Sequence, residues 1–218
     1  MRQTGFPAHE ELLLGSSLTA VVGALDAYTY LEHGAVFAGF QTGNLLLLGL
    51  NFGHLQLAEM GRYLTALLAF GIGIGLIQGL QHLLAKRQWD SQQVALWVEF
   101  GVLIVVLATT NVVPNWVATA LLSLAAAVEL EGFREILPSR NPRDMATTVL
   151  AASHFRDRDA RQHAKNSLAV MGSFALGAVL VAAFSKLLAG YTVLVPILLL
   201  AGLIFWQYQQ SHRRKWKH

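Results

Sequence analysis

Long apolar runs separated by short polar intervals cover almost the whole chain. A bilayer crossing needs about 20 mostly apolar residues in helical form. Leu12–Leu31, Tyr63–Ala85, Gln92–Val112, Leu168–Leu188 and Tyr191–Tyr208 each read as such a run. Trp116–Ile136 is a sixth, with Glu129, Glu131, Arg134 and Glu135 crowded at its end. Two further segments, Ala35–Phe52 and Pro142–Phe155, are apolar but interrupted. In the first, Gln41, Thr42, Gly43 and Asn44 stand near the middle of "GAVFAGFQTGNLLLLGLNFG". The pattern predicts helices throughout and an all-α integral membrane protein.

Composition agrees. Of 218 residues 54% are hydrophobic and only 13% charged, against about 25% charged in soluble domains. No stretch is left for a separate soluble domain. The N-terminal "MRQTGFPAHEE" leads into a run of full spanning length, so it is read as retained rather than as a cleaved signal. There is no cysteine, which excludes disulfides and thiolate chemistry.

The distribution of Lys and Arg decides what the two interrupted segments do. If both cross, 10 of the 16 basic residues lie on the inside; if neither crosses, 14 do. Cytoplasmic loops carry the excess of Lys and Arg, so six transmembrane helices with both termini cytoplasmic are expected. The interrupted segments then become re-entrant half-helices. Leu45–Leu50 would be a half-helix with Thr42, Gly43 and Asn44 at its N-terminus. A net charge of +3 is explained by these loops and gives no sign of nucleic-acid binding.

"LDAYTYL" (Leu25–Leu31) and "LEGFREIL" (Leu130–Leu137) each end a span. Each is followed by an interrupted segment and two strong spans. A unit of span, dip, span, span crosses three times, so a second copy is upside down. The chain thus reads as an inverted 3+3 repeat, roughly residues 1–114 and 115–218, within one membrane domain. Repeats of this kind build transporters whose sites lie where broken helices meet. The stretch from Gly23 to Leu50, with Gly23, Asp26, Ala27, Phe37, Thr42, Gly43 and Asn44, resembles the YoaK-like family of small bacterial multi-pass membrane proteins. In the second half Arg134, Thr147 and Thr148 also resemble that family, while "AAS" (Ala151–Ser153) replaces a second T-G-N-like triplet. The resemblance implies about six spans in a bacterial cytoplasmic membrane and implies no reaction.

The candidate chemistry lies in polar groups within apolar runs, which are costly and usually functional or paired. Glu99, in "QVALWVEFGVLIVVLA", is the deepest; it reads as a proton or substrate carboxylate, or as a structural acid between helices. Asp26 stands one turn or so from the end of its span, as a substrate group or as a cap on the dip. Gln41, Thr42, Gly43 and Asn44 could hold a polar or anionic solute at a helix N-terminus, or lock the dip in place. Thr147 and Thr148 could close the site from the other side. Glu131 and Arg134, at i,i+3, can pair. Gly71, Gly75 and Gly79 recur every four residues and permit close helix packing, within the chain or across a homodimer.

The eight histidines show no metal-ligand spacing, and no hydrolase or metalloprotease signature appears. No enzyme activity, metal or cofactor is expected. The expected function is a transporter or channel for a small polar or anionic solute, with proton coupling through Glu99 or Asp26. The alternative is a non-transporting scaffold or sensor that binds lipid or partner proteins through the glycine face and the basic tail "RRKWKH" (Arg213–His218). A wet cavity touching Asn44 and Glu99 would favour transport over the scaffold.

Overall fold

A computed structural model describes residues 8–87, 91–110, 112–133 and 158–215. All regular structure among them is helical: α1 (Ala8–Glu32), α2 (Gln41–Gly53), α3 (Leu57–Arg87), α4 (Ser91–Thr109), α5 (Asn115–Gly132), α6 (Arg158–Leu188) and α7 (Leu194–Lys215). Helices satisfy every backbone group within one segment, which is what an apolar solvent demands. The breaks fall where local chemistry sets them. Pro114 caps α5 in extended conformation (φ −66°, ψ 151°). Gly34 (φ +86°) ends α1 and Gly190 (φ +87°) follows α6, both left-handed positions that glycine adopts cheaply.

Among the described residues four helices are long and apolar enough to cross a membrane: Leu12–Glu32, Leu57–Leu83, Gln92–Thr109 and Ala164–Leu188. They coincide with four of the six full runs read from the sequence; the other two fall in α5 and α7. Helix α7 holds a shorter apolar run, Leu194–Gln210, among the described residues. Helix α5 has 18 residues, ends at Gly132 and carries Glu129 and Glu131 in its last turn. The segment Pro142–Phe155, with Thr147 and Thr148, lies outside the described residues, as does Arg134.

Contacts between helices fix their directions. At one end of the bundle the His33 ring lies 3.4 Å from the Asn115 side chain, and Thr192 donates to Glu32 at 3.1 Å. Arg62, early in α3, lies against Gly34. At the other end Gln78 of α3 donates to Glu131 of α5 at 3.1 Å, and Ala95 of α4 abuts Gly132 of α5. Helices α3, α5 and α7 therefore start where α1, α4 and α6 finish.

Helix α1 is central, with 67% of its apolar span buried, against 17% for α6. It packs chiefly on α6, and α3 chiefly on α5. Backbones come closest at glycines. A Cβ on Gly177 would run into the carbonyl of Ala20, and one on Gly23 into the carbonyl of Phe174. Gly73 sits in the same way against Leu124 and Ala127 of α5. Gly71, Gly75 and Gly79 have nothing within 4 Å of an added Cβ, so their face of α3 is not packed by the described residues of this chain.

Candidate functional site

Between Glu32 and Gln41 the chain is not helical, and it runs back along α1. Gly39 lies against Val22 and Asp26 of α1 and Ala126 of α5. Asp26 precedes the end of α1 by six residues, or about 9 Å at 1.5 Å per residue, so the loop reaches that depth. Its buried backbone groups need partners there.

Asp26 and Asn44 supply most of them. The Asp26 carboxylate accepts from the N–H of Gly39 at 2.6 Å and of Phe40 at 3.3 Å. Asn44, fully buried, grips Phe37 from both sides: its Oδ1 accepts from Phe37 N–H at 2.9 Å, and its Nδ2 donates to Phe37 C=O at 2.7 Å. The same Nδ2 reaches Gln41 Oε1 at 3.0 Å, and Gln41 Nε2 donates to Ala38 C=O at 2.6 Å. The loop is thus closed by a polar circuit of its own side chains. Helix α2 begins at Gln41, with Phe40 as its N-cap and no side-chain cap. It is a longer helix than Leu45–Leu50. The Asp26 carboxylate lies beside its positive end, where a negative charge is favoured.

Gly43 has a packing reason. The rings of Phe37 and Phe40 meet edge to face over it (5.5 Å between centroids), and a Cβ would overlap the Phe40 ring. Tyr30 of α1 stacks on Phe37 at 5.1 Å. Thr42, by contrast, is exposed.

Glu99 lies elsewhere, fully buried in α4. Glu129, also fully buried, neighbours it across the α4–α5 contact. Sequence reasoning left Glu129 beside Glu131 at the span edge. Counting down both helices from the Thr109–Asn115 turn brings Glu99 to within about one turn of Glu129, and that signal was legible. Glu131 bonds Gln78 of α3; Arg134 is outside the described residues.

The open end of the bundle gathers further polar groups. His33 lies edge-on to Tyr28 at 5.1 Å, with its Nε2 buried and unpartnered. Burial pushes its pKa below the ordinary 6.5, partly offset by the Asn115 side chain and by Glu32. Arg62 and Glu59 form a half-exposed ion pair one turn apart.

A groove of about 320 Å³ runs between α4 and α7, lined by Gln93, Leu96, Phe100 and Gln207 among others. A second, open and about 590 Å³, lies at the α2–α3 turn beside Glu59 and Arg62. Neither is lined by Asn44 or Glu99. No group of three or more metal-ligating side chains occurs among the described residues.

The family described as "Protein of unknown function (DUF1275)" matches residues 14–206. The chain belongs to this family. The match spans α1 through most of α7, so the loop, the Asn44 circuit and the carboxyl pair all fall within it. No curated protein and no solved structure matches the chain. The apolar helices and the family fit a multi-pass membrane protein.

Proposed function

We propose that this protein is a membrane transporter for a small polar or anionic solute, with proton coupling at Glu99. The observation that carries the reading is the wholly buried Glu99 carboxyl in an apolar helix; acids placed there are costly and mark ion or substrate pathways. The architecture we infer is six crossing helices in an inverted 3+3 repeat, residues 1–114 and 115–218. It is supported by the alternating helix directions, and by the sequence offset that relates Gly73 to Gly177 and also Ala20 to Leu124 at their contacts. The 33–53 segment is read as a re-entrant hairpin. Gly34 and Arg62 meet at its mouth while Gly39 lies deeper, against Asp26 and Ala126. The Lys and Arg distribution supports both termini inside, and the T-G-N stretch supports a YoaK-like subgroup and, through that resemblance, a bacterial cytoplasmic membrane. No chemical step, cofactor or nucleic acid enters this reading.

Asp26 shapes the solute chemistry. It already takes the N–H groups of Gly39 and Phe40, so an anionic solute reaches them only when Asp26 lets go. Asn44 and Gln41 hold the loop that forms the site, and Thr42 is the exposed polar group at its start. Thr147 and Thr148 are assigned to the matching position of the second half.

The test is uptake into proteoliposomes carrying a trapped pH dye, screened against small polar metabolites. A solute that moves the internal pH with the native protein and not with Glu99→Gln supports the proposal. A solute moved equally by both sinks the proton assignment, and no movement of any solute sinks transport. A second reading, a scaffold, is favoured by two observations: neither groove touches Asn44 or Glu99, and the Gly71, Gly75, Gly79 face is open for a partner helix or a second copy. Crosslinking through that face without any solute flux would select it.

A further inference from the structure

We infer that the groove between α4 and α7 is a binding site for an anionic glycerophospholipid, with an ester carbonyl of the lipid on Gln207 and its headgroup at the basic end of α7. The groove holds about 320 Å³, within the size of ligand sites, about 300–1,000 Å³. It lies at the end of the bundle where α4 begins and α7 finishes. Gln93 stands in the first turn of α4, and Gln207 and Tyr208 stand near the end of α7. Leu96, Phe100, Ala201 and Ile204 continue the groove as an apolar wall. From Gln93 to Phe100 is seven residues, about 10 Å along the axis.

Gln207 is the group that asks for a ligand. It is only 8% exposed, yet it lines the groove. Its amide makes no hydrogen bond among the described residues, whereas Gln93 and Tyr208 are already engaged by other groups. A buried amide without a partner is costly. Its N–H groups can donate to an acceptor that enters the groove, and an ester carbonyl is such an acceptor.

The rim decides between a lipid and a dissolved solute. Trp97, Phe205 and Tyr208 also line the groove and are 59%, 62% and 59% exposed. Large aromatic groups on the outside of a membrane bundle face lipid, and Trp and Tyr favour the level of the headgroups. The groove therefore opens sideways, toward acyl chains. The charge decides which lipid. Arg214 follows Gln207 by seven residues, two turns on, and so continues the same face of α7; Arg213 and Lys215 flank it. No acidic residue follows Gln207 in the chain. Along α7 an amide comes first and cations come about 10 Å nearer the helix end. A glycerophospholipid presents the matching order, ester carbonyls first and phosphate outside them. Basic pockets between transmembrane helices bind anionic headgroups in this way.

The inference needs only the membrane setting and stands apart from transport. Its test is native mass spectrometry of the full chain, delipidated in detergent and mixed with phosphatidylglycerol or phosphatidylcholine of the same acyl chains. The native protein is expected to retain phosphatidylglycerol at least about fivefold better. Gln207→Leu is expected to fold and to retain both lipids about three- to tenfold less. Ala201→Phe, which narrows the groove, is expected to lower both as well. Arg213→Gln/Arg214→Gln/Lys215→Gln is expected to bring phosphatidylglycerol down to the level of phosphatidylcholine. Equal retention of the two lipids by the native protein overturns the inference. Unchanged retention in Gln207→Leu also overturns it, whether or not Ala201→Phe folds. Loss of a dimer in Gln207→Leu, with lipid retained as before, would make the groove a contact between copies and overturn it too.

Discussion

Asn44→Leu tests how the loop is held. The side chains are close in size, so the change removes hydrogen bonds and adds little bulk. Three bonds disappear: two to the backbone of Phe37 and one to Gln41. Side-chain hydrogen bonds in membrane proteins average only about 0.6 kcal/mol, which alone would give ~2 kcal/mol. The larger cost is the Phe37 N–H and C=O, left without a partner beside a buried leucine, at about 1–3 kcal/mol each. A total of ~2–4 kcal/mol follows if the loop relaxes partly toward solvent. Local opening at 2 kcal/mol corresponds to about 30-fold faster exchange. The assay is hydrogen–deuterium exchange read by mass spectrometry on a peptide covering residues 33–44, with peptides from α6 as the reference. Asn44→Leu is expected to accelerate exchange at least about tenfold in the loop and to leave α6 unchanged. Asn44→Asp is also expected to accelerate it, because an acceptor replaces the Nδ2 donor facing Phe37 C=O and Gln41 Oε1. Unchanged loop exchange in Asn44→Leu would refute the idea that this side chain holds the segment in place.

Three further outcomes are expected. Gly43→Ala should destabilise by about 1–3 kcal/mol through overlap with the Phe40 ring, and Phe40→Leu in the same chain should restore much of the loss in a thermal melt. Gly177→Leu should lower the melting temperature strongly, because its Cβ would strike the Ala20 backbone, whereas Gly75→Leu meets open space and should leave the single chain's stability nearly unchanged. His33 should make stability pH-dependent: its pKa is lower folded than the ordinary 6.5, so the unfolded chain binds the proton first. The contribution is complete above pH 6.5 and fades as pH falls below it. Melting curves of His33→Gln should show a weaker fall between pH 7 and pH 5; equal falls in both proteins would remove His33 as the cause.

Much of the site was legible in outline. Gly39 lies within the non-helical stretch and Gly43 just inside the helix that follows, which starts within the Gln41–Asn44 stretch as its polarity suggests. The assignment of Asn44 to a solute was one of two readings, and its bonds to Phe37 and Gln41 account for the holding role. Glu129 was passed over because its neighbours Glu131 and Glu135 made it look like part of an interfacial charge group. Gly71, Gly75 and Gly79 drew attention by their spacing, yet Gly73 makes the contact with α5.

The division has one physical cause. Hydropathy decides the solvent, and an apolar solvent forces the backbone to bond within its own helix; the amino-acid order therefore determined which segments are helical, and that the Gly34–Phe40 stretch is not. In a soluble helix an apolar stripe would also reveal the buried face. Here the outside is as apolar as the core, so α3 is apolar on every side, and the pattern does not distinguish Gly73 from Gly75. Each residue turns a helix by about 100°, and only packing against α5 chose the rotation. That choice put Gly73 inside and Gly75 outside. In the same way, tertiary packing brought Glu99 against Glu129, and Asp26 against the loop it caps.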